Sequence, residues 1–194
     1  MSEFKVDTIT NRDGSYGPQV CGITSFMSSG LTLPSGPTEF RGGRGRGVFG
    51  SGNTPSDTRN IDVIEIATTG NGVDFGDDNI DGRGEGNASF ASSTRGIFAG
   101  GDTGSRSDVI DFITMASEGD ATDFGNLSTA SQFLAGTSNT TRGVFNLGDQ
   151  SPGLVNNIDF ITISTTGNAT DFGDLTAATR MCAPASDSHG GLTR

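Results

Sequence analysis

The chain has no tryptophan, one tyrosine (Tyr16), one histidine (His189) and two cysteines in 194 residues, and only 31% of its residues are hydrophobic. A single histidine leaves little material for the acid–base pairs and activated nucleophiles of most hydrolytic enzymes. Ser188 beside it is adjacency in sequence rather than a triad assembled in space, so no catalytic residue is expected. The shortage of Trp and Tyr also counts against a carbohydrate reader, which usually displays aromatic faces. No run approaches the roughly 20 apolar residues of a membrane span, and residues 1–5 lead into polar sequence instead of the apolar stretch of a secretory signal. The expectation is a soluble protein made in a cytoplasm, where Cys21 and Cys182 would remain small buried thiols.

Basic residues are scarce too. Twelve Lys and Arg against 23 Asp and Glu give a net charge of −11. Affinity for nucleic acid comes mostly from cations neutralising phosphates, so this balance disfavours general nucleic-acid binding. The same balance favours solubility and is silent about fold.

What is abundant is glycine, with 31 residues, and phenylalanine, with 13. Each phenylalanine removes roughly 150–250 Å² from water when buried, so the placement of these rings reports on the fold. They recur. Arg46-Gly47-Val48-Phe49 returns as Arg95-Gly96-Ile97-Phe98 and as Arg142-Gly143-Val144-Phe145, spacings of 49 and 47 residues, and a degraded fourth start follows at His189-Gly190-Gly191-Leu192. Within each unit comes a six-residue β-branched and aromatic run: Ile61–Ile66, Ile110–Met115 and Ile158–Ile163. Then come a glycine at 70, 119 and 167 and the tripeptides Asp74-Phe75-Gly76, Asp123-Phe124-Gly125 and Asp171-Phe172-Gly173. Asp and Gly flanking a Phe predict a turn there.

The six-residue run carries more information than strand propensity. Ile158 and Phe160 point to one face while Ile161 and Ile163 point to the other, so both faces want cover. A sheet sandwiched between neighbouring units, or a bulge that switches face, would supply it. Units of 47–49 residues match a four-stranded propeller blade of the kelch kind, and the fold class expected is all-β with kelch-like blades. Three units fall short of the roughly four to eight that close a propeller. A threefold pseudo-symmetric β-prism or β-trefoil, completion by the N-terminal segment, or closure with other subunits are the alternatives, and an oligomer or incorporated subunit is expected.

The repeats RGVFGSG…NIDVIEIATTGNGVDFGD, RGIFAGG…DVIDFITMASEGDATDFGN and RGVFNLG…NIDFITISTTGNATDFGDLTAATR resemble repeats in virion proteins of tailed phages infecting marine cyanobacteria. The resemblance covers about residues 38–192, and the KVDTIT segment at residues 5–10 looks like the leader of particle-associated proteins in such phages. It implies a structural or host-facing role in a virion, without assigning head, tail or fibre.

Four motifs invite chemistry. Gly45–Gly50 fits G-x-G-x-x-G, but no helical periodicity follows it, and a glycine-rich strand entry explains it. Arg41–Gly47 looks like an arginine–glycine RNA-binding segment, yet it is short and sits in an acidic chain, so packing or subunit contact is expected. The aspartates Asp74, Asp123 and Asp171 occupy one place in every repeat, which fits turn stabilisation better than glycoside hydrolysis. The sharpest local signal is Asp77-Asp78-Asn79-Ile80-Asp81-Gly82, the D-x-N-x-D-G opening of a calcium loop. Asp77, Asn79, Asp81 and Glu85 are its candidate Ca²⁺ ligands, although Ala88 replaces the closing Glu and no flanking helices are expected.

The chain therefore divides, by expectation, into an N-terminal docking arm, residues 1–36, and a β domain, 37–194, with repeats at about 46–94, 95–141 and 142–188. The expected function is a non-enzymatic virion protein that decorates or joins subunits, its arm lying against other virion proteins. The alternative is a tail-fibre module recognising host-surface glycans through loops 55–60, 101–107 and 150–156.

Overall fold

The computed structural model describes residues 25–27, 30–32, 45–53, 57–80, 83–84 and 86–186. The chain forms two compact units, residues 1–37 and 38–194. In the first, β1 (Ser25–Met27) and β2 (Gly30–Thr32) pair as an antiparallel hairpin. Every regular element among the described residues is a strand, and none of them contains a helix long and apolar enough to cross a membrane.

The second unit holds three antiparallel sheets, each built mainly from one repeat, the second and third taking their first strand from the tail of the repeat before, and strands adjacent in sequence are adjacent in space. The first contains β3 (Arg46–Asn53), β4 (Asp57–Glu65) and β5 (Val73–Asp77). The second contains β6 (Ala88–Ala91), β7 (Arg95–Ala99), β8 (Ser107–Thr114) and β9 (Thr122–Ser131). The third contains β10 (Ala135–Ser138), β11 (Arg142–Asn146), β12 (Asn157–Thr162) and β13 (Thr170–Asp174). Register repeats with sequence: Gly47 pairs with Ile64, Gly96 with Ile113 and Gly143 with Ile161. Residues 57–60, expected in a surface loop, instead begin β4.

The Asp-Phe-Gly tripeptides are not turns. They lie inside β5, β9 and β13, each at a bulge: Ile110 pairs with Gly125 and Asp111 with Asp123, which leaves Phe124 as the extra residue. The same slip occurs at Phe75 and Phe172. Gly76, Gly125 and Gly173 carry φ of +148°, +147° and +135°, a region in which glycine alone is at ease. The glycine was correctly associated with an unusual backbone; the bulge, rather than a turn, uses it.

Both faces of the central sheet are covered, as the double-sided apolar run of β8 requires. Phe75, Ile61, Val48 and Val63 of the first repeat meet Phe98, Ile113, Met115 and Ala121 of the second. On its other face the second repeat sends Ile97, Ile110, Phe112 and Phe124 against Phe145, Ile161, Ile163 and Ala169 of the third. The apolar interior thus consists of two separate layers, one between each successive pair of sheets. Full burial of a side chain such as Phe145 stabilises by about 1.5–3 kcal/mol, which is how a chain poor in apolar residues still holds three sheets together.

Candidate functional site

Two residues of the calcium-like segment, Asp78 and Asn79, take part in a cluster of charged and polar side chains. Asp78, which the calcium pattern does not use as a ligand, is fully buried, and so is Arg83. The Arg83 Nε lies 3.1 Å from Asp78 Oδ2, its Nη2 donates to Asp111 Oδ2, and its Nη1 donates to the Val109 carbonyl at 3.1 Å. Ser51 donates to Asp78, and the Asn79 amide donates to Asp111 at 3.2 Å. One guanidinium thus faces two buried carboxylates. Burial raises the Asp111 pKa to about 6 and the negative charge of Asp78 reinforces it, against the opposing pull of Arg83. Of the four candidate Ca²⁺ ligands, Asp77 is exposed at the end of β5 and Asn79 is engaged with Asp111, while Asp81 and Glu85 lie outside the described residues. No group of three or more His, Cys, Asp or Glu able to hold a metal occurs among the described residues. The cluster ties the loop after β5 to strand β8 of the next repeat.

A second arrangement recurs at each repeat junction. Arg46 Nη1 donates to the Met115 carbonyl at 3.0 Å, and Arg95 Nη1 donates to the Ile163 carbonyl at 2.8 Å. Backbone bonds repeat beside them: Gly119 N to Phe75 O and Ala121 N to Asp77 O, then Gly167 N to Phe124 O and Ala169 N to Asn126 O, each 2.8 Å. A side-chain bond completes each set, from Asp77 N to Asp120 Oδ1 at 3.0 Å and from Asn126 N to Asn168 Oδ1 at 3.1 Å. The Arg95 guanidinium also lies over the Phe112 ring, 4.3 Å from its centroid, where cation–π attraction adds to the bond. These contacts bring the next backbone so close that a Cβ on Gly76 would come within 2.5 Å of the Gly119 carbonyl.

The loops at the far ends of the strands gather a third group. Asp149 accepts from Arg106 at 3.2 Å and pairs with Arg180 at 3.4 Å, and Gln132 reaches it as well. Burial pushes its pKa up, but the Gln132 amide and the two guanidiniums outweigh that and hold it below the usual carboxylate value. This anchors residues 179–182 along the third sheet, with Asn146 donating to the Thr179 carbonyl. Cys182, expected as a buried thiol, is exposed there. Cys21, Ser188 and His189 lie outside the described residues.

Two shallow grooves occupy equivalent positions in the first and third repeats. One, of about 280 Å³, is lined by Arg46, Val63, Glu65, Asn71 and Glu118 among others. The other, of about 290 Å³, sets Thr165, Thr166, Asn168 and Thr170 beside the rings of Phe124 and Phe160. Sequence reasoning found none of the junction partners, because the acceptors are backbone carbonyls, nor Arg83, which stands in the irregular loop of the longest repeat. The repeated Arg at 46, 95 and 142 was the available signal for the first. No protein-family model matches the chain, and no curated protein matches it.

Proposed function

We propose that the protein is a non-enzymatic structural subunit of a phage particle, its three sheets being consecutive kelch-like propeller blades. The observation that carries the reading is the junction. Part-buried arginine, backbone and apolar contacts are used to stack one sheet on the next, and this makes a stiff repeat scaffold rather than a reaction centre. Two apolar layers between successive sheets favour blades over the single shared interior of a β-prism or β-trefoil. The sequence resemblance supplies the particle: such a subunit would be made in the host cytoplasm and join or decorate the virion, with residues 1–36 as a docking arm on other virion proteins.

Deleting residues 1–36 tests the arm. Particle incorporation should be lost while the melting transition of the remaining repeats persists. Virions that still take up the truncated chain would remove the arm from the reading, and particles of the native phage that lack the chain altogether would remove the structural role.

The second reading is glycan recognition at a tail fibre, and one observation favours it. The groove of the third repeat places hydroxyl and amide groups beside the half-buried ring of Phe160, the combination that meets the polar edge and apolar face of a sugar.

A further inference from the structure

The two outer sheets of the repeat stack each present half of the junction described above. After the third repeat, the face that is covered in its predecessors is open: Phe172 is 52% exposed where Phe75 and Phe124 are each 2%. Arg142 lies over the Phe160 ring, 4.5 Å from its centroid, as Arg95 lies over Phe112, but it donates to no carbonyl among the described residues. A Cβ on Gly173 would meet nothing within 4 Å, where the equivalent Gly76 and Gly125 face the next repeat's backbone. At the start of the first repeat, side chains of the opposite face are exposed. Phe49 is 64% exposed against 4% for Phe98 and 0% for Phe145, and Ile66 is 68% exposed against 1% for Ile163.

We propose that these faces join head to tail between two copies of the chain, the third repeat of one receiving the first repeat of the other. Each group of the arginine and backbone arrangement that both internal junctions share has its counterpart in place. Arg142 corresponds to Arg46 and Arg95, and the Ile66 carbonyl to those of Met115 and Ile163. The Phe172 and Asp174 carbonyls stand ready for the N–H groups of Gly70 and Gly72, as those of Phe75 and Asp77 do for Gly119 and Ala121. Asn71 supplies a side-chain oxygen for the Asp174 N–H, as Asp120 and Asn168 do at the internal junctions. The occupant is specified by this match: a surface built on the same register and side chains already covers each face twice within the chain. A contact between unlike faces closes into a ring where its rotation allows. Two copies provide six sheets, inside the range of about four to eight that propellers use. The inference rests on the junction geometry and stands independently of the virion reading.

Sedimentation of the full chain and of two variants tests it. Phe49→Lys and Phe172→Lys each alter an exposed ring at opposite ends, so the single chain should fold normally in both, which circular dichroism checks. The wild type should sediment at twice 19.9 kDa and each variant alone at 19.9 kDa. An equimolar mixture of the two should recover dimers, since the unaltered end of one variant meets the unaltered end of the other. A monomeric wild type at 100 µM overturns the proposal. So does dimerisation lost in one variant only, the mark of a symmetric contact through one face. Unfolding of Phe49→Lys without dissociation also overturns it, because the chain's own N-terminal segment would then be the occupant.

Discussion

Arg83 illustrates how one residue in an acidic loop can set the response of the protein to pH. Its single positive charge serves two buried carboxylates, so with both ionised the cluster keeps one excess negative charge out of water. The cheapest relief is a proton, and Asp111, with a pKa raised to about 6, is where it goes. The unfolded chain binds that proton only near the ordinary value of 3.8, so between the two values the folded state holds more protons than the unfolded one. Stability must then rise as pH falls from 7 toward 4.5, with the full penalty present above 6. The Asp149 carboxylate, held below its usual range, acts in the opposite sense, but only as pH falls below that range. We expect the melting temperature to increase by several degrees from pH 7 to pH 4.5, on the order of 2–4 °C for each kcal/mol in a chain of this size. In Asp111→Asn the increase should shrink to what the general loss of negative charge supplies. Equal slopes in the two proteins would show that Asp111 does not hold the proton.

The bulge is the element that converts a repeated tripeptide into a repeated junction. By adding one residue to β9 it seats Phe124 against the interior and brings Gly125, at positive φ, under the backbone of the third repeat. An alanine at Gly125 meets two penalties. The backbone strain is about 1–3 kcal/mol and the collision with Gly167 about 1–3 kcal/mol more. Gly173→Ala incurs only the first while its face is open. Denaturant melts in a Phe49→Lys background, which should keep the chain monomeric, should therefore show Gly125→Ala as the more destabilised by about 1–3 kcal/mol; equal losses would mean the close approach is not tight. The repeats themselves were legible in the sequence because Arg, Phe, Ile and Gly return at fixed spacing, and the two-faced pattern of the six-residue runs announced cover on both sides, which within the chain the central sheet receives. The bulge was not legible. Asp and Gly beside a Phe serve a turn and a bulge equally well, and only pairing with the preceding strand distinguishes them. The Arg83 cluster was hidden for a related reason: Asp78 and Asp111 come from different repeats, and the calcium pattern drew attention to the alternate positions 77 and 79 instead.

At the scale of the molecule, three stacked sheets are not equivalent even though their sequences are. Among the described residues the central sheet buries both faces and each outer sheet one, and local stability in stacked repeats is set by contacts with immediate neighbours. Amide hydrogen exchange should therefore be slowest in β7 and β8 and faster in β3 and β13 when the chain is dilute enough to be monomeric. Raising the concentration through the dimer transition adds a neighbour to each outer face, so protection in β3 and β13 should climb toward that of the centre while β7 and β8 change little. The bonds expected to form name the amides that should respond most, those of Gly70, Gly72 and Asp174, because their counterparts at the internal junctions are hydrogen-bonded. If these three exchange at the same rate at every concentration at which dimers are present, the copies meet through some other surface, and the open faces serve a different partner.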